Sequence, residues 1–259
     1  MRANSTNDYF CEMDIPILYQ DDALVVVSKP NNILVHPSYY ARNIKEPSLI
    51  ELLSEVIDEK LYPVHRLDYK TSGVMILAKS SVNAAALQKQ FEENTIQKVY
   101  YALVRGYSDK KGKVDTPVKN PDTGKYKEAL TNYSTLESVE VAIAVQPYSM
   151  SRYSLVVLFP KTGRMHQLRK HMNKISHPII GDHKYGNRHH NRMFEEELKY
   201  PNMFLHAYQI SFRHPVTKEE VCINVTPPEF WLNAFKRLSI NPTCISEQVV
   251  FDNNQNHLG

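Results

Sequence analysis

Hydrophobic residues along the chain fall into short runs separated by polar loops, a pattern typical of strands and short helices. Strands are predicted where β-branched and aromatic residues cluster, at 17–19, 23–28, 74–78, 99–104 and 154–159. The segment 110–131 is polar and contains Pro and Gly, so we expect a long connection or ribbon there. Strands outnumber helices, which predicts an α+β fold with a mixed, mostly antiparallel sheet flanked by helices and loops.

Three helices are predicted from apolar residues at helical spacing. The first follows a capping-box pattern in which Ser48 precedes Glu51 by three residues. A second is expected over 81–93, and a third opens at Pro227 and Pro228, since proline favours a first helical turn. The apolar faces of the first and third helices comprise Leu49, Leu52, Leu53, Val56 and Ile57, and Phe230, Trp231, Ala234, Phe235 and Leu238.

The length of 259 residues fits one main domain, which we place at 15–240, with a flexible extension at 1–14 and a polar tail at 241–259. We expect no second folded domain within this length. The longest aliphatic runs have about five residues, whereas a membrane span needs roughly 20. Without a signal-peptide pattern either, a cytoplasmic protein is expected. The three cysteines are odd in number and lack a C-x-x-C, so ordinary reduced thiols are expected.

The net charge of +3 says little by itself, but its distribution is uneven. Residues 161–192, here called the basic block, contain eight Lys or Arg and one acid, Asp182. Six of the eleven histidines also lie there. A local basic block in a nearly neutral chain indicates an anionic partner, although a solvated basic face would look the same.

The segment HRLDYKTSG, residues 65–73, directly precedes the predicted strand at 74–78. It places Asp68 between Arg66 and Lys70, with small residues before a buried strand. Loops held by rigid strands often carry function. The residues alone leave two interpretations open: a functional loop, or a surface turn in which Asp68 pairs with a neighbouring cation.

The segment TGRMHQLRKH, residues 162–171, begins a predicted helix over 165–175. Met165, Leu168, Met172 and Ile175 would form its apolar stripe, with His166, Lys170 and Lys174 on the solvent side. Arg169 falls at the border of that stripe, where a partly desolvated guanidinium needs a carboxylate partner. An ordinary amphipathic basic helix is the alternative.

The segment QKVYYALVRG, residues 97–106, is predicted to be a strand. Alternation places Tyr100, Ala102 and Val104 on one face, and Tyr101 on the other with Val99 and Leu103. If this segment stood alone, both tyrosines would be interpreted as core or cross-strand aromatics.

Together these three segments resemble the three signature motifs of RluA-type pseudouridine synthases, in the family order and at similar separations. HPIIGDHKYG, residues 177–186, also resembles the family, and the similarity extends over about 17–238. The stretch GDHKYGNRHHNRMF is most similar to a branch that acts on uridine-65 of tRNA. One departure is Asn32, where the family usually has glycine; asparagine tolerates a left-handed backbone, so the loop can be kept.

The resemblance implies isomerisation of uridine to pseudouridine in RNA, with no cofactor and no metal. By analogy, Asp68 would be the catalytic carboxylate and Arg169 the cation that keeps it ionised and aimed. Tyr100 would stack on the base and assist proton removal at C5. Arg66 would enter the space left by a flipped nucleotide. Further RNA contacts or bracing roles are expected for Arg164, His166, Gln167, Lys170 and His171, and RNA contacts for Lys184 and Arg188.

Structured RNA, and by branch resemblance tRNA, is therefore the expected partner, with no membrane and no obligate protein partner. Ribosomal RNA is the alternative substrate, because charge would serve both. A non-catalytic RNA-binding protein would not need Asp68 in an intact motif. A metal enzyme built on the histidine run lacks tight ligand spacing; the run comprises His166, His171, His177, His183, His189 and His190.

Overall fold

A computed structural model describes residues 15–37 and 44–245, so the predictions for 1–14, 246–259 and Cys11 lie outside the described residues. No helix in those two ranges has the length and apolar character of a membrane span. A 3-10 helix, Pro242–Ile245, ends the described chain. The other elements are, in chain order, β1 (Ile17–Gln20), β2 (Leu24–Lys29), α1 (Leu49–Ser54), β3 (Tyr62–Pro63), β4 (Ser72–Ala78), α2 (Ser81–Glu92), β5 (Gln97–Arg105), β6 (Lys111–Asp115), β7 (Val118–Lys119), β8 (Tyr126–Lys127), β9 (Leu130–Val141), β10 (Ser151–Pro160), α3 (Gln167–Lys174), α4 (Arg188–Glu196), β11 (Leu205–Arg213), β12 (Glu220–Asn224) and α5 (Glu229–Leu238).

Ten strands form one mixed sheet with the order β1-β2-β4-β11-β5-β10-β9-β6, to which β3 adds at β4 and β12 at β11. The small ribbon β7–β8 stands apart, within the segment predicted as a connection or ribbon. Among the described strands, β4 and β11 make the one parallel pairing. The predicted α+β class with a mostly antiparallel sheet is therefore confirmed.

The parallel pairing joins the two halves of the sheet. Ser72 lies opposite His206 and Gly73 opposite Ala207, and Ser72 Oγ is hydrogen-bonded to His206 Nδ1 at 2.9 Å. Gly73 has φ +119°, and a Cβ there would lie 2.2 Å from the carbonyl oxygen of Ala207. Only glycine permits this conformation and this close approach.

The two faces of β5 pack against different cores. Tyr101 and Leu103 belong to a cluster with α4 and α5, whereas Ala102 and Val104 pack with Leu168 of α3. Tyr100 is partly buried on the α3 side. The predicted opposite orientation of the two tyrosines is confirmed, and it sends Tyr100 alone toward the HRLD loop.

One predicted helix boundary was wrong, and the predicted tail begins with a packed segment. The capping box at Ser48 is present, but α1 ends at Ser54, so Val56 is 72% exposed rather than part of the apolar face. The expected polar tail is still packed at its start, because Ile245 is buried and its carbonyl accepts a hydrogen bond from Tyr101 Oη at 3.0 Å. The elements β3, β9, β11, β12 and α4 were not predicted.

Candidate active site

Asp68 lies in the loop between β3 and β4, with its side chain 22% exposed. Buried Leu67 anchors the loop, and Thr71 N donates to the Asp68 carbonyl at 3.0 Å. His65 accepts a hydrogen bond from Ile76 N through Nε2 at 2.9 Å, and burial lowers the pKa of His65 to about 3. A neutral histidine therefore ties the loop to β4, and Asp68 is presented from a fixed position.

Arg169, in the first turn of α3, contacts two carboxylates. Its Nη1 donates to Asp68 Oδ2 at 2.9 Å, while Nε and Nη2 donate to Asp182 Oδ2 and Oδ1 at 2.8 and 2.7 Å. Burial opposes the charge, yet the bonds to Asp182 and Asp68 outweigh it and raise the pKa of Arg169. The expectation that Arg169 meets a carboxylate is confirmed, and Asp68 is one of two.

Asp182 was missed as a site residue. Its side chain is 1% exposed and also accepts hydrogen bonds from Lys184 N at 2.9 Å and Tyr185 N at 3.1 Å. Burial opposes ionisation, but Arg169 and these amides lower the pKa of Asp182. The signal for it was present in the sequence, since it is the one acid of the basic block.

The predicted helix over 165–175 starts later than expected. His166 has a left-handed backbone, φ 55°, and α3 begins at Gln167, so Met165 is 41% exposed instead of joining the apolar stripe. His166 accordingly leaves the predicted solvent side: Nε2 lies 3.8 Å from Asp68 Oδ1 and Nδ1 is 3.0 Å from Tyr185 Oη. Burial, partly offset by Asp68, lowers the pKa of His166.

Two residues expected to contact RNA or brace the site are buried. Gln167 Nε2 donates to Thr131 Oγ1 at 3.0 Å, and its Oε1 accepts from Thr162 Oγ1 at 2.7 Å. His171 Nδ1 also lies 3.0 Å from Thr131 Oγ1. These bonds hold Gln167 and His171 against β9, whereas RNA contact by either residue stays a prediction.

Tyr100 lines a cleft of about 110 Å³ together with Asp68, Arg169 and His166. Burial and the Asp68 charge raise the pKa of Tyr100, so its hydroxyl stays protonated near neutral pH. Leu205 of β11 lines the same cleft. One carboxylate, one aromatic ring and one anchored cation thus share a small, partly enclosed space.

The rim and wall of the cleft are basic. Arg66 is exposed and Arg164 half-buried at the rim, with Arg164 Nε donating to the Glu128 carbonyl at 3.1 Å. Lys98, two residues before Tyr100 on the same face of β5, was not predicted as a site residue. Burial and the nearby Arg164 lower the pKa of Lys98 to about 8, and among the described residues no carboxylate pairs with it.

The other predicted basic residues lie outside the cleft. Lys170 and Lys184 approach the ring of Tyr185 at 5.8 and 5.7 Å, and Lys170 Nζ donates to the Lys119 carbonyl at 2.8 Å. Arg188 is exposed at the start of α4. Tyr185 also lies 5.2 Å from the Arg169 guanidinium, so it connects the cleft to this outer basic surface.

Lys29, the last residue of β2, joins the loop after β2 to the Asp68 loop. Lys29 is fully buried, and its Nζ donates to the carbonyls of Pro30, Ile33 and Tyr69 at 2.7, 2.9 and 3.3 Å. Burial lowers the pKa of Lys29 to about 7. Asn32, which stands where the family usually has glycine, has φ 60°. It therefore adopts the left-handed backbone that asparagine was expected to tolerate.

The metal alternative requires several ligating side chains gathered at one place. Within residues 15–37 and 44–245, no group of three or more His, Cys, Asp or Glu side chains is arranged to hold a metal ion. His166, His171 and His190 instead bond to protein partners: Tyr185, Thr131 and Tyr153.

The fold and cleft agree with a broad class of protein. A solved structure titled "Human RNA Pseudouridylate Synthase Domain Containing 4" superposes with a TM-score of 0.66 at 29% identity, covering 86% of this chain and 93% of that one. The family profile described as RNA pseudouridylate synthase matches residues 23–174. This chain therefore belongs to the RNA pseudouridylate synthase family, and the RluA-type resemblance and the enzyme class it implied are confirmed.

Within that family the chain is similar to bacterial relatives named "tRNA pseudouridine synthase C". The relative from Haemophilus ducreyi is 38% identical over 87% of this chain and 96% of its own length. The relative from Pasteurella multocida is 40% identical over 85% of this chain and 95% of its own. The similarity spans nearly the whole length of both relatives, and it includes the region that forms the cleft.

Proposed function

We propose that this enzyme isomerises uridine to pseudouridine in tRNA, at uridine-65, with Asp68 as the catalytic carboxylate. The observation that carries the proposal is the Asp68–Arg169–Asp182 arrangement beside Tyr100. The name carried by the bacterial relatives supports tRNA as the substrate. The position of the uridine rests on the branch resemblance of residues 181–194.

The reaction balances without a cofactor. The N1–C1′ bond breaks, the base turns, the C5–C1′ bond forms, the C5 hydrogen leaves as a proton and N1 takes up a proton. A glycoside hydrolase needs two carboxylates because it also activates water. Here the detached base is the acceptor, so one exposed carboxylate suffices, and Asp182 is free to serve as an anchor.

Each cleft residue then has a role that its contacts support. Asp68 acts on the sugar or base, either by covalent attack or by removing the C2′ proton to give a glycal. Arg169 holds the carboxylate in place, and Tyr100 presents its ring to the base with its hydroxyl protonated. Arg66, exposed at the rim, fills the space vacated by the flipped nucleotide, since extrusion of a base costs a few kcal/mol.

The test offers the purified chain unmodified tRNA transcripts and ribosomal RNA fragments carrying tritium at C5 of uridine. Tritium release from tRNA, with pseudouridine mapped at uridine-65, is the expected result, and a transcript with cytidine there should release none. Modification of ribosomal fragments alone would overturn the substrate assignment and keep the reaction. RNA binding without tritium release from any RNA would favour a non-catalytic binding protein.

A further inference from the structure

A second cavity, of about 650 Å³, lies at the end of β5 and β10 away from Asp68. Arg105 lines it and is five residues beyond Tyr100 on the same strand, a separation of about 17 Å at the rise of a β-strand. The odd spacing puts Arg105 on the opposite face of the sheet from Tyr100. We call this space the Arg105 cavity; its lining includes Arg105, Tyr107, Tyr148, Met150, Arg152 and His190.

The guanidinium of Arg105 is held by a buried relay. Its Nε donates to His190 Nε2 at 3.2 Å, and His190 Nδ1 is hydrogen-bonded to Tyr153 Oη at 2.9 Å. His190 and Tyr153 are 6% and 0% exposed. Burial, together with the charge of Arg105, lowers the pKa of His190 to about 4, so the ring is neutral and free to accept. Such fixation reduces the entropy that binding a ligand would otherwise cost.

The charge of Arg105 is not neutralised in the part of the chain that the structure describes. No carboxylate there lies within ion-pair distance of it, and its terminal nitrogens make no hydrogen bond to those residues. Glu140, the one acid of the cavity lining, pairs with Arg152 instead. A fixed guanidinium without an acid, facing an open cavity, matches the bidentate geometry of a phosphate.

Aromatic surface surrounds this cation. Tyr107 and Tyr148 are 48% and 63% exposed, and Met150 is 39% exposed. The Arg152 guanidinium lies 5.1 Å from the ring centroid of Tyr107, which fixes one face of that ring. Exposed rings beside an unpaired guanidinium are the combination that binds unpaired nucleotides, through base stacking and a phosphate contact.

We propose that the Arg105 cavity binds an unpaired nucleotide of the same RNA whose uridine enters the Asp68 cleft. Arg105 takes the phosphate, and Tyr107 or Tyr148 takes the base. This proposal rests on the proposed function for one point, that the RNA is tRNA. The two sites lie about 17 Å apart along β5 and on opposite faces of the sheet, so a folded RNA that extends around the edge reaches both, whereas a short stem-loop around the target uridine reaches one.

The test compares Arg105→Gln with Arg105→Lys and with Arg213→Gln, a matched change at the exposed end of β11. Dissociation constants are measured for full-length tRNA and for a stem-loop holding only the target uridine, from about 50 to 200 mM salt. Arg105→Gln should weaken tRNA binding about tenfold and lower the log–log salt slope by about one. Arg105→Lys should keep the slope, and Arg213→Gln should match the wild type. Melting temperatures check that each variant folds.

Binding of the stem-loop distinguishes a second RNA contact from a general loss of affinity. Weaker binding confined to tRNA supports a second contact, whereas equal weakening on both RNAs, or none on either, overturns the proposal. Tyr148→Ala, at a mostly exposed ring, should also weaken tRNA binding without altering the salt slope. Because binding is measured independently of turnover, a chain that binds tRNA but forms no pseudouridine would refute the proposed function while the cavity comparison remains informative.

Discussion

Two guanidinium groups in this molecule are held in place by a deeper side chain, and the two holders differ in charge. In the Asp68 cleft, Arg169 is held by the carboxylate of Asp182. In the Arg105 cavity, the holder is the neutral ring of His190. The charge of Arg169 is balanced by Asp182, and Arg169 also contacts Asp68. The charge of Arg105 has no carboxylate partner among the described residues. A guanidinium that is held by a deeper side chain can therefore orient a reactive carboxylate when the holder is charged, or attract an anion when the holder is neutral.

We expect the largest loss of activity from a change at Asp68. Asp68→Asn keeps the shape of the side chain and removes the charge that Arg169 aims, so turnover should fall by more than about a thousandfold, or about 4 kcal/mol in activation free energy. Tritium release under saturating RNA measures it. Asp58→Asn, at an exposed acid, is the matched control. Residual turnover within about tenfold of wild type would remove Asp68 from its catalytic role.

Removing Arg169 should also have a large effect, on both stability and turnover. Arg169→Leu leaves Asp182 buried without a cation, which costs about 3–5 kcal/mol of unfolding free energy and disorders the cleft. The neighbouring Lys170→Leu removes a half-buried charge bonded to one carbonyl and should cost much less. Urea unfolding and turnover of the two variants provide the comparison. Equal, small effects would show that Arg169 is only a surface charge.

The two holders should respond to acid in different pH ranges. The pKa of His190 is lowered to about 4, so its contribution to stability is complete above about 6.5 and is lost as the pH falls toward 4, up to about 3 kcal/mol. The pKa of Asp182 is also lowered, so its contribution is lost only below the ordinary range of an aspartate. His190→Gln should therefore reduce the fall in unfolding free energy between about pH 6.5 and 4, while His65 and His206, whose pKa values are also lowered by burial, still contribute to it. An unchanged slope would mean that the ring is not held neutral.

Unanchored charges should have the smallest effect. Lys184 and Arg188 are exposed and have no acid partner among the described residues, so they contribute through general attraction to phosphates. Changing both to Gln should weaken tRNA binding and reduce the salt slope by up to about 0.9 for each phosphate that is no longer neutralised, with little change in saturated turnover. Lys236 and Arg237, exposed at the end of α5, are the matched control pair. Equal effects from both pairs would show that the basic block has no special part in binding.

The sequence predicted what depends on short spacing and missed what depends on distant contacts. The buried run of β4 and the opposite faces of Tyr100 and Tyr101 follow from local alternation. The left-handed backbone of His166 accompanies the placement of its ring near Asp68 and Tyr185, and helical periodicity does not predict either. Asp182 is 13 residues from Arg169, and its role appears only once the loop folds back.

The missed elements have physical reasons too. In β11, a register irregularity between Ala207 and Gln209 interrupts the alternation of apolar residues. The helix α4 buries His190 and Asn191 beside Met193 and Phe194. Because two of its four buried residues are polar, the apolar spacing that would predict a helix is incomplete. Lys98 lies in the predicted strand, but its lowered pKa depends on burial and on Arg164, which is distant in sequence.

The parallel pairing of β4 with β11 has a consequence for the order in which the chain is synthesised. Ser72 meets His206 only after 134 further residues have been made, which takes at least several seconds at about 5–20 residues per second. Throughout that interval one edge of β4 has no partner strand over Ser72 and Gly73, and open edges invite pairing with other chains. The short strand β3 and the ring of His65, which already bond to the same edge, lie close in sequence and emerge first. We therefore expect the segment around Asp68 to cover residues 76–78 of this edge early, which leaves Ser72 and Gly73 open until β11 has been made.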